Sequence, residues 1–202
     1  MKRLTKQGVP VLDRETTSEM LEREARSSPD PHVRGYSLYL LGAENDVSKK
    51  SLFLTSLKDP DKGVRGQAAR ALAGLGEEAV PDLLHLLGDK EWRTRYRAAE
   101  ALGMSGSVNA AAALIRALTD EKDHVRYMAA KSLGLMGVRS AITPLIARLS
   151  DENEYVRRMA GHSLEKIGGE EAEIEIRRAV AEAPAGAVRD TLKKMLDKMR
   201  QE

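Results

Sequence analysis

Residues 119–137 read TDEKDHVRYMAAKSLGLMG, and residues 150–168 return the same pattern as SDENEYVRRMAGHSLEKIG. Both place a Val-Arg pair five residues after an Asp, then an Ala, a Ser-Leu pair and a closing Gly. Working outward, the pattern recurs upstream in GDKEWRTRYRAAEALGMSG (88–106), KDPDKGVRGQAARALAGLG (58–76) and PDPHVRGYSLYLLG (29–42), and downstream, degraded, in APAGAVRDTLKKML (183–196). The anchors Val33-Arg34, Val64-Arg65, Thr94-Arg95, Val125-Arg126, Val156-Arg157 and Val188-Arg189 are spaced by 31, 30, 31, 31 and 32 residues. So constant a period marks a tandem array, in which each unit buries its apolar stripe only against its neighbours.

Between these segments lies a second periodic series: TTSEMLEREARS, VSKKSLFLTSL, EEAVPDLLHLLG, VNAAAALIRALT, RSAITPLIARLS and EEAEIEIRRAVAE. Each repeat therefore reads as two helices, broken by Asp or Pro before the Val-Arg helix and by Gly after it. Gly76, Gly106, Gly137 and Gly168 stand where a left-handed carboxyl-terminal cap is required. In the Val64 repeat, Val64, Ala68, Ala71, Leu72 and Leu75 fall on one stripe of a 3.6-residue helix.

Composition narrows the function classes. Of 202 residues, 42% are hydrophobic and 32% charged, which supports a core and a charged surface. Aromatic residues make up 3%, so the core must be aliphatic, and that favours helices over a β-sandwich. The absence of Cys excludes disulfides, thiolate zinc sites and cysteine catalysis. A net charge of +2 sets up no strong field toward nucleic acid. No apolar run suits a membrane span, and MKRLTKQGVPVLDRE lacks the apolar stretch of a secretory signal. A cytoplasmic monomer is expected, with residues 1–14 an irregular basic segment and 15–202 one repeat domain.

The Asp, Val-Arg, Ala-Ala, Ala-Leu and Leu-Gly positions resemble the HEAT-repeat superfamily, in the short form similar to the phycobilisome-lyase-type repeat. The resemblance implies an all-α, right-handed α-solenoid (an armadillo/HEAT-like superhelix) of six helix pairs. It also implies an inter-repeat hydrogen-bond ladder from Asp59/Arg65, Asp89/Arg95, Asp120/Arg126 and Asp151/Arg157. In such solenoids the second helix of each pair lines the concave wall.

With the Val of each Val-Arg pair at zero, positions −2, −1, +2, +3 and +6 lie away from the buried stripe. Every Tyr and the Trp occupy such positions: Tyr36, Tyr39, Trp92, Tyr96, Tyr127 and Tyr155. Arg93, Arg97, Met128, Arg158 and His162 join them. The competing reading, that the rings fill gaps between helices, applies most to Tyr36 at the edge of the stripe. Seven basic residues stand against four acidic ones on this face, an interleaving that suits a protein segment better than a phosphate backbone.

The motifs of related enzyme families are largely missing from this sequence. The His-Glu pairs of deoxyhypusine hydroxylase-like proteins are absent; the matching slots read Gly35-Tyr36, Gly66-Gln67, Tyr96-Arg97, Tyr127-Met128 and Arg158-Met159. Trp92, Tyr96 and Glu100 could imitate the aromatic-carboxylate site of HEAT-like alkylpurine DNA glycosylases. Nothing marks a bilin site. The reading is a non-enzymatic scaffold without cofactor, metal or catalytic residues that binds a protein or peptide; the alternative is a nucleic-acid-binding module related to those glycosylases.

Overall fold

The computed structural model describes residues 14–183 and 185–199; residues 1–13 lie outside it, and with them nearly all of the segment expected to be irregular. Arg14 itself is helical. Among the described residues there are twelve α-helices and no strand: α1 (Arg14–Ser27), α2 (Pro31–Gly42), α3 (Lys50–Ser56), α4 (Lys62–Gly74), α5 (Val80–Leu86), α6 (Trp92–Ser105), α7 (Ala111–Ala117), α8 (Asp123–Met136), α9 (Ile142–Arg148), α10 (Glu154–Ile167), α11 (Gly169–Glu182) and α12 (Ala187–Met199). They form six pairs, one per sequence repeat, and the fold is the all-α repeat architecture of armadillo/HEAT-like solenoids. A 3₁₀ turn leads into each of the short helices α3, α5, α7 and α9.

The chain divides between Leu75 and Gly76 into two compact units. In the first, α2 packs along α4, with α1 against α2 and α3 against α4. In the second, α6 packs along α8 and α8 along α10, making a layer of second helices backed by α5, α7 and α9. The α11–α12 pair follows, touching α9 and α10.

Local chemistry sets these boundaries. Asp59, Asp89, Asp120 and Asp151 each accept, through the side chain, the amide two residues on, at 2.8–3.0 Å, closing a turn before the second helix. Asp30, Asp61 and Asn153 then cap α2, α4 and α10. The four expected glycine stops all adopt positive φ, from 54° to 69°. Apart from Phe53 the hydrophobic core is non-aromatic, with Leu72, Leu102, Leu133 and Leu164 fully buried at equivalent places.

Successive second helices approach backbone to backbone through small residues. A Cβ added at Gly103 would lie 2.9 Å from the Ser132 Cα, and one at Gly134 would lie 2.8 Å from the Ser163 Cα. Gly42 meets Ala71 in the same register within the first unit. The serines in these seams are satisfied: Ser132 Oγ donates to the Ala99 carbonyl at 2.9 Å, and Ser163 Oγ to that of Ala130 at 2.8 Å.

The arginines of the Val-Arg pairs join consecutive repeats. Arg126 donates twice to the Asp151 carboxylate, both at 2.8 Å, and Arg95 reaches Asp120 in the same way at 2.7 and 2.8 Å. Arg34 reaches Asp59 in the first unit. This corrects the expected pairing. Within one repeat, Arg65, Arg95, Arg126 and Arg157 donate to the backbone carbonyls of Asp59, Asp89, Asp120 and Asp151, while a carboxylate pairs with the arginine of the preceding repeat. The offset is geometric: the Asp side chain is already turned back into its own Asx turn and faces the previous unit.

Burial pushes the Asp151 carboxyl up. The Arg126 hydrogen bonds, the Asn153 amide and the charges of Arg126 and Arg148 outweigh it and hold the group below the ordinary 3.8. A depressed carboxyl stabilises the fold fully above its unfolded value and loses that contribution as pH falls through its folded value. The denaturation midpoint should therefore stay level from neutrality to about pH 5 and drop below about pH 4. An Asp151→Asn variant, measured alongside, should show a shallower acid drop; an identical one would remove Asp151 from the acid response.

Candidate functional site

The outward side of the α6–α8–α10 layer gathers the rings of the second unit. The Trp92 ring and the His124 imidazole lie 4.8 Å apart, tilted by 44°. The Arg93 guanidinium sits 4.8 Å above the Trp92 ring, and that of Arg97 sits 5.3 Å from the Tyr96 ring. Arg97 also forms an ion pair with Glu100 one turn on, so its charge is largely answered within α6. Tyr96 is half-buried; burial raises its phenol pKa, and the charge of Glu100 adds to the rise.

Between α6, α8 and α10 an open cavity of about 330 Å³ is lined by Tyr96, Asp123, His124, Tyr127, Asn153 and Tyr155. Asp123 organises one wall. Its carboxylate bonds the His124 amide and ring, at 2.8 and 2.7 Å, and accepts the Asn153 side-chain amide. Asn153 in turn accepts the Tyr155 amide at 2.8 Å. The His124 hydrogen bond is the main reason the Asp123 carboxyl lies below its ordinary value. Asn153 was not among the residues singled out from the sequence. Two residues before an exposed tyrosine it reads as a helix cap, and its bond to Asp123 and its place in the cavity wall tie it to the site.

The other expected residues fall elsewhere. Arg158 and His162 line a separate depression toward α12, with Glu165 and Val188. Tyr36 and Tyr39 belong to the first unit, where their rings stack 6.1 Å apart beside Lys62 and Gln67. One expectation is corrected. Met128 is 2% exposed and belongs to the core, because position +3 lies close enough to the stripe for an unbranched apolar chain to turn inward. Tyr36, the ring to which the gap-filling alternative applied most, is 63% exposed. The +2 face of α2 meets α4, as Gly35 shows against Val64 and Gln67. Positions 0 and +3 thus face the preceding repeat, and among the described residues none precedes α2. Val33, at position 0, is exposed for the same reason.

Among the described residues no group of three or more His, Asp or Glu could hold a metal ion, and no helix is long and apolar enough to cross a membrane.

The family model for HEAT repeats matches residues 51–127 and 112–197. Solved structures similar to this chain include the complex of CpcE and CpcF of phycocyanin lyase from Nostoc sp. PCC7120, at 23% identity and a TM-score of 0.59 over 74% of this chain and 99% of that one. A designed armadillo repeat protein aligns at 18% identity and a TM-score of 0.54, covering 89% of this chain and 98% of its own. Computationally designed armadillo repeat proteins for modular peptide recognition align at 18% and 0.51, covering 88% and 98%. No curated protein matches the sequence. At these identities the structures speak for the fold alone.

Proposed function

The chain belongs to the family of HEAT-repeat proteins, and from that premise we propose that it is a non-enzymatic scaffold whose α6–α8–α10 face binds an extended segment of a protein partner. One observation carries the reading: Trp92, Tyr96, Tyr127 and Tyr155 stand partly or fully exposed along three successive helices, and the three tyrosines line an open cavity. Rings with an apolar body and a polar tip are the side chains that concentrate binding energy at interfaces. The fully buried positions of α6 and α8 are held chiefly by small and aliphatic residues, Ala98, Ala99, Leu102, Val125, Ala129 and Leu133 among them.

The charge arrangement supports a polypeptide over a nucleic-acid backbone. Arg97 is paired with Glu100, and the cavity carries the Asp123 carboxylate, which repels phosphate. A random peptide library selected on the immobilised protein should yield binders that lose at least about tenfold in affinity on the Trp92→Ala/Tyr96→Ala double variant. The thermal midpoint of that variant should move far less than its affinity. Equal binding to both proteins would overturn the reading. A steep loss of binding to a short DNA duplex between low and moderate salt, through the same residues, would favour nucleic acid instead.

A further inference from the structure

The α6–α8–α10 cavity has an electrostatic character that its aromatic lining alone does not define. Three phenol rings, Tyr96, Tyr127 and Tyr155, surround it, with His124 beside Trp92 at one edge. Its lining includes one carboxylate, Asp123, and neither Lys nor Arg. The faces of aromatic rings attract cations through their quadrupoles, and more strongly where water is partly excluded. A carboxylate adds a direct charge–charge attraction.

The two helix amino termini at this cavity would by themselves favour an anion. At each, one first-turn amide is already engaged. In the first turn of α8 the His124 amide is taken by Asp123, and in that of α10 the Tyr155 amide is taken by Asn153. Asp123 also orients Asn153 and the His124 ring, so the carboxylate is held in place at the wall. Its depressed pKa keeps it ionised across the neutral range. The arginines nearby do not reverse the sign: Arg97 is spent on Glu100, and Arg93 lies over the far ring, Trp92, with Glu91 at 3.7 Å.

We infer that this cavity is a cation-reading subsite, taking the ammonium or guanidinium head of a lysine or arginine side chain from the bound segment between the Tyr96, Tyr127 and Tyr155 rings, against Asp123. The inference rests on the peptide-binding reading and adds the chemistry of one recognised residue. At about 330 Å³ the cavity lies at the small end of ligand sites and suits one side chain rather than a larger ligand.

The test uses three blocked tripeptides on the 202-residue chain: Gly-Lys-Gly, the same peptide with Nε-trimethyl-lysine, and Gly-Glu-Gly. Each is titrated at constant ionic strength while backbone amide resonances are followed. Both cationic peptides should shift the amides of residues 123–127 and 153–155 saturably at millimolar concentration, and the glutamate peptide should not. Asp123→Asn should weaken the lysine peptide by about threefold or more, and Tyr127→Leu should weaken both cationic peptides. Each variant's resonance dispersion shows whether it is folded. Equal shifts from the glutamate peptide, no shifts from any peptide, or no effect of either variant would overturn the inference. Library-selected peptides that still map to this face would leave the binding reading standing without it. Selected peptides that map elsewhere would remove that reading instead.

Discussion

Arg126→Ala is expected to destabilise the protein by about 3 kcal/mol, the lower end of the range for breaking a buried ion pair. The Arg126 and Asp151 side chains are only 7% and 2% exposed, the least of the inter-repeat pairs described here. Removing the guanidinium strands the Asp151 carboxylate in the interior and takes the donor from the Asp120 carbonyl. Arg148, 3.5 Å from Asp151, recovers part of the loss and keeps the effect from reaching the top of the range. Arg34→Ala should cost less, since both partners there are 12% exposed. Chemical denaturation followed by circular dichroism reads both values. An unchanged midpoint for Arg126→Ala would show that the pair holds nothing together.

Gly134→Ala should destabilise by about 2 kcal/mol or more, although alanine is the better helix former. The new methyl would stand 2.6 Å from the Ser163 Cβ and 2.8 Å from its Cα, so α8 and α10 must separate or the backbone must bend. Overpacking of this kind typically costs 1–3 kcal/mol, roughly, and the Ser163–Ala130 hydrogen bond is put at risk with it. The propensity gain of about 1 kcal/mol offsets only part. Combining it with Ser163→Gly should restore at least half of the loss, a coupling that a double-mutant cycle measures. Gly161→Ala is the control: its methyl would meet only a Leu149 side-chain carbon, at 3.8 Å, and stability should not fall. A Gly134→Ala protein as stable as the parent would mean the seam is loose.

The same seam shows what could be read before the fold was seen. The Val-Arg spacing, the glycine stops and the leucine stripe gave the six pairs, because backbone capping and burial act through residues close in sequence. The partner of each ladder carboxylate did not follow from spacing. Asp120 is six residues from Arg126 and twenty-five from Arg95, and only the direction of its Asx turn decides which arginine it meets. Nor does the spacing say that Gly103 and Ser132 meet; stacking α6 on α8 brings them together. On the α6–α8–α10 face, the helical period puts Trp92, Tyr96 and Tyr127 off the fully buried stripe, and all three are partly exposed. It could not separate Met128 from Tyr127, since a position at the edge of the stripe is buried or exposed according to its own side chain and whether a neighbour exists. Val33 and Tyr36 show the second effect, Met128 the first.

The most direct test of the account is to map, by amide chemical shifts of the 202-residue protein, where a library-selected peptide binds. The perturbed residues should cluster on α6, α8 and α10 around Trp92, Tyr96, Tyr127 and Tyr155, and Trp92→Ala/Tyr96→Ala should erase the perturbations at the same peptide concentration. Perturbations centred instead on α5, α7 and α9, or unaltered by the double variant, would contradict the account.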